Sequence, residues 1–191
     1  MINQHLLEEI KSVSLSMFRK NFLGVYHGSM SARISSSTFV INKKEAIFDE
    51  ITEESLIYLD TETRDYRWNI SSMDTLIHEQ IYQELPEAKY ICYTMPPYAT
   101  AYSLSHAKLT PRDYFGDLNI GEILVYDPGN FSDWYDRAPY EITHFFKENT
   151  QQLMLIKGYG LFAYDRDIVE MAKKIALLEN SARLLMLNSN A

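Results

Sequence analysis

Residues 89–98 read Lys-Tyr-Ile-Cys-Tyr-Thr-Met-Pro-Pro-Tyr, a β-forming run that ends at two prolines. Residues 89–94 are dense in β-forming residues, which is typical of a buried strand. Pro96 and Pro97 stop this strand, and Pro97 fits the first turn of a helix that continues to Leu104. We therefore predict a strand in the middle of the chain that leads directly into a helix.

On either side of this strand, helical and strand patterns alternate. Apolar residues at three- and four-residue steps predict helices, and runs of β-forming residues predict strands. The predicted helices begin after Asn3, at Thr52, at Ser71 and Ser72, at Tyr140 (to Asn149) and after Asp167 (to Leu185); the further predicted strands are 30–34, 37–42, 67–70, 123–126, 153–157 and 161–164. These elements do not follow strict βαβ regularity, so we predict a single α/β domain over residues 1–191, with a largely antiparallel sheet between helices.

Composition narrows the function classes. The chain has 191 residues, with 18 Lys and Arg against 26 Asp and Glu, so its formal net charge is −8. This balance argues against binding to nucleic acid, which needs clustered basic residues. The lone Cys92 precludes an internal disulfide and favours a reducing compartment. With no basic segment before an apolar run and no stretch of about 18 apolar residues, we expect a cytoplasmic protein without a membrane span.

Common enzyme signatures are absent from the sequence. It lacks the glycine-rich nucleotide loops, the Gly-x-Ser-x-Gly elbow and the His-Glu-x-x-His zinc pair. Cys92 lies in the apolar strand, where a free cysteine is usually inert. Short segments along the chain stand out instead. They are Gly28-Ser29-Met30-Ser31-Ala32-Arg33, Phe39 to Glu45 with Ile51-Thr52-Glu53-Glu54, Ile70-Ser71-Ser72-Met73, Tyr93-Thr94-Met95-Pro96-Pro97 and Gly158-Tyr159-Gly160, with Glu179 in the last helix.

In their order and spacing, these segments resemble the class II aldolase/adducin family, from the first helix to Leu185. The resemblance implies a three-layer α/β fold and a cyclic homotetramer. It also implies a site for sugar phosphates, in which three histidines bind a catalytic zinc ion and a glutamate moves the proton. In adducin-like relatives, the same fold serves binding or assembly without the metal.

This chain departs from the family at the catalytic positions. The resemblance places the three zinc-binding histidines at Tyr93, Met95 and Tyr159, and the glutamate at Met73. A phenol has a pKa of about 10 and is mostly protonated at neutral pH. A thioether is a soft ligand that suits Cu(I) better than zinc. We therefore predict no zinc cofactor and no zinc-dependent aldol cleavage, because the enediolate would lack its electrophilic stabiliser.

Asp74 and His78 are a possible substitute for the lost groups. Asp74 follows the expected acid by one residue, which on a helix rotates it by about 100°. His78 is four residues further, on the same helix face as Asp74. The pair is compatible with a metal site, but such a pair is more often a hydrogen-bonded surface pair.

The anion-binding end of the family site is better retained. Its candidate residues are Gly28, Ser29, Lys44, Ser71 and Ser72, where hydroxyls, amides and one cationic group could hold a phosphate or carboxylate. The competing interpretation is purely structural. In it, Ser71 and Ser72 cap a helix, and Lys43 and Lys44 lie in a solvated turn.

Two functional hypotheses follow from the sequence. The first is a non-catalytic binding or assembly module that has lost the zinc ligands and the catalytic acid. The alternative is a metal-independent enzyme acting on a small phosphorylated or anionic sugar-like substrate, with Tyr93 and Tyr159 as acid–base phenols. In either case the resemblance implies a homo-oligomer, for which residues 113–115 and 131–140 are candidate contact segments.

Overall fold

The computed structural model describes residues 3–25 and 27–189, and a single mixed sheet organises them. Within those ranges the strands are β1 Ser29–Arg33, β2 Thr38–Asn42, β3 Leu56–Asp60, β4 Tyr90–Thr94, β5 Lys108–Leu109, β6 Ile123–Tyr126, β7 Leu153–Ile156 and β8 Gly160–Asp165. Their order across the sheet is β3-β2-β1-β4-β8-β7-β6-β5. Neighbouring strands are antiparallel except for the parallel pair β6 and β7, so the predicted largely antiparallel sheet is confirmed.

Helices cover both faces of this sheet. They are α1 Gln4–Arg19, α2 Arg67–Ile70, α3 Thr75–Glu84, α4 Pro97–Ser103, α5 Tyr114–Asn119, α6 Trp134–Glu148 and α7 Ile168–Ser189, with a 3₁₀ turn at Glu53–Ser55. None of the helices within the described ranges combines the length and apolar character needed to cross a bilayer.

The side-chain alternation of the central strands creates two cores. Tyr90 and Cys92 of β4 pack into the core that also holds buried residues of α1 and α7, whereas Ile91 and Tyr93 pack into the core of α3 and α6. Successive residues of a strand point to opposite faces, so one strand supplies both cores. The result is the three-layer arrangement that the resemblance implied.

Several local predictions were wrong. Residues 67–70 form the short helix α2 rather than a strand, and the Asp65 carboxylate accepts a hydrogen bond from the Arg67 amide at 2.9 Å at its start. Helix α6 begins at Trp134 rather than at Tyr140, and it therefore contains Pro139 in its interior. The strands β3 and β5 and the helix α5 were not predicted.

The turn between β7 and β8 places Tyr159 beside β4. Gly158 and Gly160 both have positive φ angles, +67° and +134°. A Cβ atom at Gly160 would lie 2.6 Å from the carbonyl oxygen of Thr94, so glycine is required for this close approach. The turn therefore brings the 158–160 segment against the end of β4.

Candidate functional site

A cavity of about 610 Å³ lies at the end of the sheet where β2 and β4 end and β1 and β8 begin. Its walls include the four residues that the resemblance places at the family's histidines and glutamate, namely Tyr93, Met95, Tyr159 and Met73. These residues come from segments far apart in the sequence. The fold therefore brings together the residues that the resemblance had grouped.

Two of the positions that the resemblance assigns to metal ligands belong to a cluster of four aromatic rings, Phe162, Tyr93, Tyr159 and Phe131, which we call the aromatic stack. The centroid distances along it are 5.0 Å, 4.8 Å and 6.0 Å. Neighbouring rings are tilted by 22–32° at these contacts. The Phe162 and Tyr159 rings are themselves 6.5 Å apart, so the Tyr93 ring contacts both within one compact cluster, and this part of the site is packed as core.

The donor atoms at these positions do not suit zinc. The Tyr93 hydroxyl donates to the carbonyl oxygen of Tyr159 at 2.8 Å, and the Tyr159 hydroxyl donates to the Tyr135 hydroxyl at 3.3 Å. Met95 offers a thioether. Among the residues that the structure describes, no group of three or more His, Cys, Asp or Glu side chains is arranged to hold a metal ion. The residues present therefore do not fit the zinc ion of the family.

The two phenols are also poorly suited to acid–base chemistry. Burial raises the pKa of Tyr93 far above its usual range, and the nearby Asp74 carboxylate raises it further. The same two causes, in the same order, raise the pKa of Tyr159. Proton transfer is most efficient when the pKa of the group lies near the operating pH. This weighs against the hypothesis that Tyr93 and Tyr159 act as acid–base groups.

Asp74 lies in the cavity wall beside Met73 and is much more buried. The side chain of Met73 is 68% exposed, whereas Asp74 is 4% exposed. Burial raises the pKa of Asp74 to about 6, and a hydrogen-bonding contact with the Ser29 hydroxyl offsets part of that rise. Its Oδ1 atom is buried and has no hydrogen-bond partner among the described residues. The cavity thus contains a carboxyl group that titrates near neutrality.

Asp74 and His78 are both buried and do not form the surface pair that their spacing predicted. Asp74 precedes the first residue of α3 and has φ −82° and ψ 2°, so the helical rotation of about 100° per residue does not apply to it. The pair is not at the surface, because His78 is completely buried. Burial lowers the pKa of His78 to about 3, which keeps the imidazole neutral.

Both ring nitrogens of His78 are already hydrogen bonded. The Ser29 hydroxyl lies 2.9 Å from Nε2, and the Ser31 hydroxyl lies 2.6 Å from Nδ1. Ser31 is also 2.7 Å from the Tyr82 hydroxyl. These four side chains form a buried network that joins β1 to α3, and it leaves no nitrogen of His78 for a metal.

The anion-binding candidates separate into two groups. Gly28, Lys44 and Ser72 line the cavity. Ser29 is engaged with His78, and the Ser71 hydroxyl donates to the carbonyl of Trp68 at 2.8 Å while accepting from Thr75 at 2.8 Å. Ser29 and Ser71 therefore support the first turn of α3 instead of lining the cavity. Gly28, Lys44 and Ser72 can face a ligand.

Comparison with known families identifies the fold. A family model for the class II aldolase and adducin N-terminal domain matches residues 8–186. The match covers all the elements around the cavity, from α1 to α7.

Solved structures agree with this match. L-Fuculose-1-phosphate aldolase from Thermus thermophilus is 22% identical and has a TM-score of 0.86, with 98% of this chain and 95% of that chain covered. YgbL from Escherichia coli is 17% identical, with a TM-score of 0.80 over 96% of this chain and 89% of that chain. A sugar-phosphate aldolase from Thermotoga maritima is 15% identical, with a TM-score of 0.74 over 96% of this chain and 94% of that chain. At these identities the structural likeness shows the fold alone.

Proposed function

Since this chain belongs to the class II aldolase and adducin family, we propose that it keeps the family's cavity as a binding site for a small anionic ligand and has no zinc-dependent cleavage activity. The observation that carries this proposal is the aromatic stack. At the positions that the resemblance assigns to zinc ligands, its rings contact one another and the Tyr93 hydroxyl donates to the Tyr159 carbonyl. Side chains arranged in this way stabilise the fold by packing and do not supply ligands for a Lewis-acidic metal ion.

The anionic end of the ligand is assigned to Lys44 and Ser72. Lys44 is exposed at the cavity rim, where its ammonium group lies 3.4 Å from the carbonyl of Asn69. An ammonium group with one long hydrogen bond can redirect toward a phosphate or carboxylate. Structural relatives are named for sugar phosphates, so phosphate monoesters are the first ligands to test.

Assembly is a second part of the proposal. The chain is expected to work in the cytoplasm as a homo-oligomer, a tetramer by family resemblance. Helix α5 supports this, because Tyr114, Phe115 and Leu118 are 73%, 63% and 66% exposed. Exposed apolar patches commonly mark protein interfaces. Sedimentation of the wild type and of Phe115→Ser tests it, and a monomeric wild type would contradict it.

The first experiment measures zinc and catalysis together. After incubation with zinc and dialysis, we expect no stoichiometric metal and no cleavage of L-fuculose 1-phosphate. Stoichiometric zinc with turnover would overturn the proposal. The binding half is tested by thermal shift with glycerol 3-phosphate, which stabilises the protein only if it binds the folded state preferentially.

Lys44 and Lys43 provide a matched pair of substitutions for testing whether the cavity binds an anionic ligand. Lys43 is adjacent in sequence, yet it does not line the cavity. Lys44→Ala should weaken glycerol 3-phosphate binding by about three- to tenfold, as expected for one partly solvated charged contact. Lys43→Ala should bind like the wild type. Equal effects of the two substitutions would indicate a diffuse charge effect and no site at Lys44.

A metal-independent enzyme is the alternative function, and Asp74 is the observation in its favour. A cavity carboxyl with a pKa near 6 is suited to proton transfer at neutral pH. Turnover of a phosphorylated aldose or ketose that persists with a chelator and disappears in Asp74→Asn would favour this alternative. Ligand binding without turnover would favour the binding module.

A further inference from the structure

The carboxyl group of Asp74 has an unusual environment for a buried acid. Asp74 lines the cavity, is 4% exposed, and has an Oδ1 atom without a hydrogen-bond partner among the described residues. Most buried polar atoms in proteins are hydrogen bonded, and leaving a buried charge unpaired is costly. The arrangement therefore points to a partner that does not come from the described part of this chain.

Nearby basic groups do not supply that partner. His78 is neutral, and the two serine hydroxyls occupy its ring nitrogens. His27 also lines the cavity, but burial lowers its pKa and favours the neutral form. Lys44 is directed to the carbonyl of Asn69. The pKa of Asp74 accordingly responds to burial and to Ser29, with no contribution from a cationic side chain.

We propose that the cavity takes a small ligand that carries an ammonium group together with its anionic group, with the ammonium donating to Asp74 and the anion facing Lys44 and Ser72. This inference rests on the proposed binding function and adds the chemical class of the ligand. A hydroxyl group would give Asp74 a hydrogen bond but would leave its charge unbalanced. An ammonium group supplies both the hydrogen bond and the opposite charge.

A matched pair of probes isolates the ammonium group. O-Phosphoethanolamine and 2-hydroxyethyl phosphate have the same chain length and the same phosphate, and they differ in one terminal group. With the full chain at pH 8, calorimetric titration should show that the amino probe binds at least about tenfold more tightly, which is about 1.4 kcal/mol. The pH keeps both the carboxylate and the ammonium ionised.

Two acidic residues of the same cavity allow a matched substitution. Asp74→Asn keeps the shape of the side chain and removes the charge, so the preference for the amino probe should vanish. Glu45→Gln makes the same change in an exposed carboxyl of the cavity wall and should leave the preference intact. Circular dichroism verifies that both variants fold, and Asp74→Ser is a second replacement if Asp74→Asn does not.

The outcomes separate this inference from the proposed function. If the two probes bind equally and both lose affinity in Lys44→Ala, the anionic site stands and the ammonium assignment is wrong. If neither probe binds, both proposals are overturned. Stabilisation by Mg²⁺ alone that disappears in Asp74→Asn would also overturn the assignment, because the partner would then be an inorganic cation.

Discussion

The aromatic stack and the Asp74 carboxyl share one cavity and differ in how completely their groups are satisfied. Within the stack, the Tyr93 ring contacts two other rings and its hydroxyl donates to a carbonyl. Asp74 is just as buried, yet one of its oxygens has no partner among the described residues. Similar burial therefore has opposite consequences for stability at the two places.

This difference indicates where the cavity keeps a capacity to bind. Residues that pack well stabilise the fold, whereas residues held for a ligand often destabilise the free protein. The stack includes two positions that the resemblance assigns to metal ligands, and its packed rings stabilise the fold. The unpaired carboxylate of Asp74 destabilises the free protein, and a ligand that binds this carboxylate would remove that destabilisation. Substitutions at the two places should therefore change the free energy of unfolding with opposite signs.

The largest effect is expected from truncating the stack. Tyr93→Ala removes a buried ring that contacts Tyr159 and Phe162, and it should lower the free energy of unfolding by about 3–5 kcal/mol. Tyr66→Ala is the control, because that tyrosine is 72% exposed and its loss should change stability by less than about 0.5 kcal/mol. Urea denaturation at pH 7 measures both. Similar losses in the two variants would contradict the packed role of the stack.

Asp74→Asn should have the opposite sign and should depend on pH. Since burial raises the folded pKa of Asp74 to about 6 from 3.8, the folded state holds the proton more tightly than the unfolded state. Its ionisation therefore destabilises the protein above pH 6, and this loss is recovered as the pH falls toward 4. We expect Asp74→Asn to be more stable by about 2–3 kcal/mol at pH 8 and equal to the wild type near pH 4.

His78 complicates the pH profile of the wild type alone. Its folded pKa is lowered to about 3 from 6.5, so its contribution to stability is present above pH 6.5 and is lost as the pH falls toward 3. Asp74 and His78 thus act in opposite directions over an overlapping range. The difference between the wild type and Asp74→Asn at each pH removes the His78 contribution. A difference that stays constant from pH 4 to pH 8 would contradict the assignment to Asp74.

A smaller effect distinguishes the two hydroxyl groups of the stack. Tyr93→Phe removes a hydrogen bond of 2.8 Å to a carbonyl and should cost about 1 kcal/mol of stability. Tyr159→Phe removes a longer bond of 3.3 Å at an exposed position and should cost less than about 0.5 kcal/mol. Both variants keep their rings, so denaturant midpoints compare the hydroxyl groups directly. The reverse order would show that ring packing alone holds Tyr93.

The local sequence pattern correctly predicted the helices and strands whose conformation is set by residues within the element itself. The β-forming run that ends at Pro96 became β4, and the apolar period after Asp167 became α7. The strand predicted at residues 67–70 was wrong because Trp68 and Ile70 favour a strand by residue type. Their conformation instead follows the hydrogen bonds that Asp65 accepts from the Arg67 and Trp68 amides and the packing of Trp68 against Phe39.

Predictions of the site were limited by contacts distant in sequence. The family positions Tyr93, Met95, Tyr159 and Met73 do line one cavity. The burial of His78 depends on Ser29 and Ser31, which precede it by 49 and 47 residues. No local pattern encodes that pairing, so His78 looked like a surface residue. Asp74 was named as a candidate, but its burial was not predicted, because a helical rotation was applied to a residue that lies just before the helix.

Met73 provides the smallest expected effect, and its substitution tests whether an acid at this position is enough for cleavage activity. Its side chain is 68% exposed at the cavity wall, so Met73→Glu should change stability by less than about 0.5 kcal/mol. The variant regains the family's acid but keeps the aromatic stack, and we expect it to gain neither zinc nor cleavage of L-fuculose 1-phosphate. Replacing Tyr93 and Tyr159 with histidine should instead destabilise the protein, because it breaks the stack. Activity in Met73→Glu alone would mean that the missing acid, rather than the filled metal position, had silenced the site.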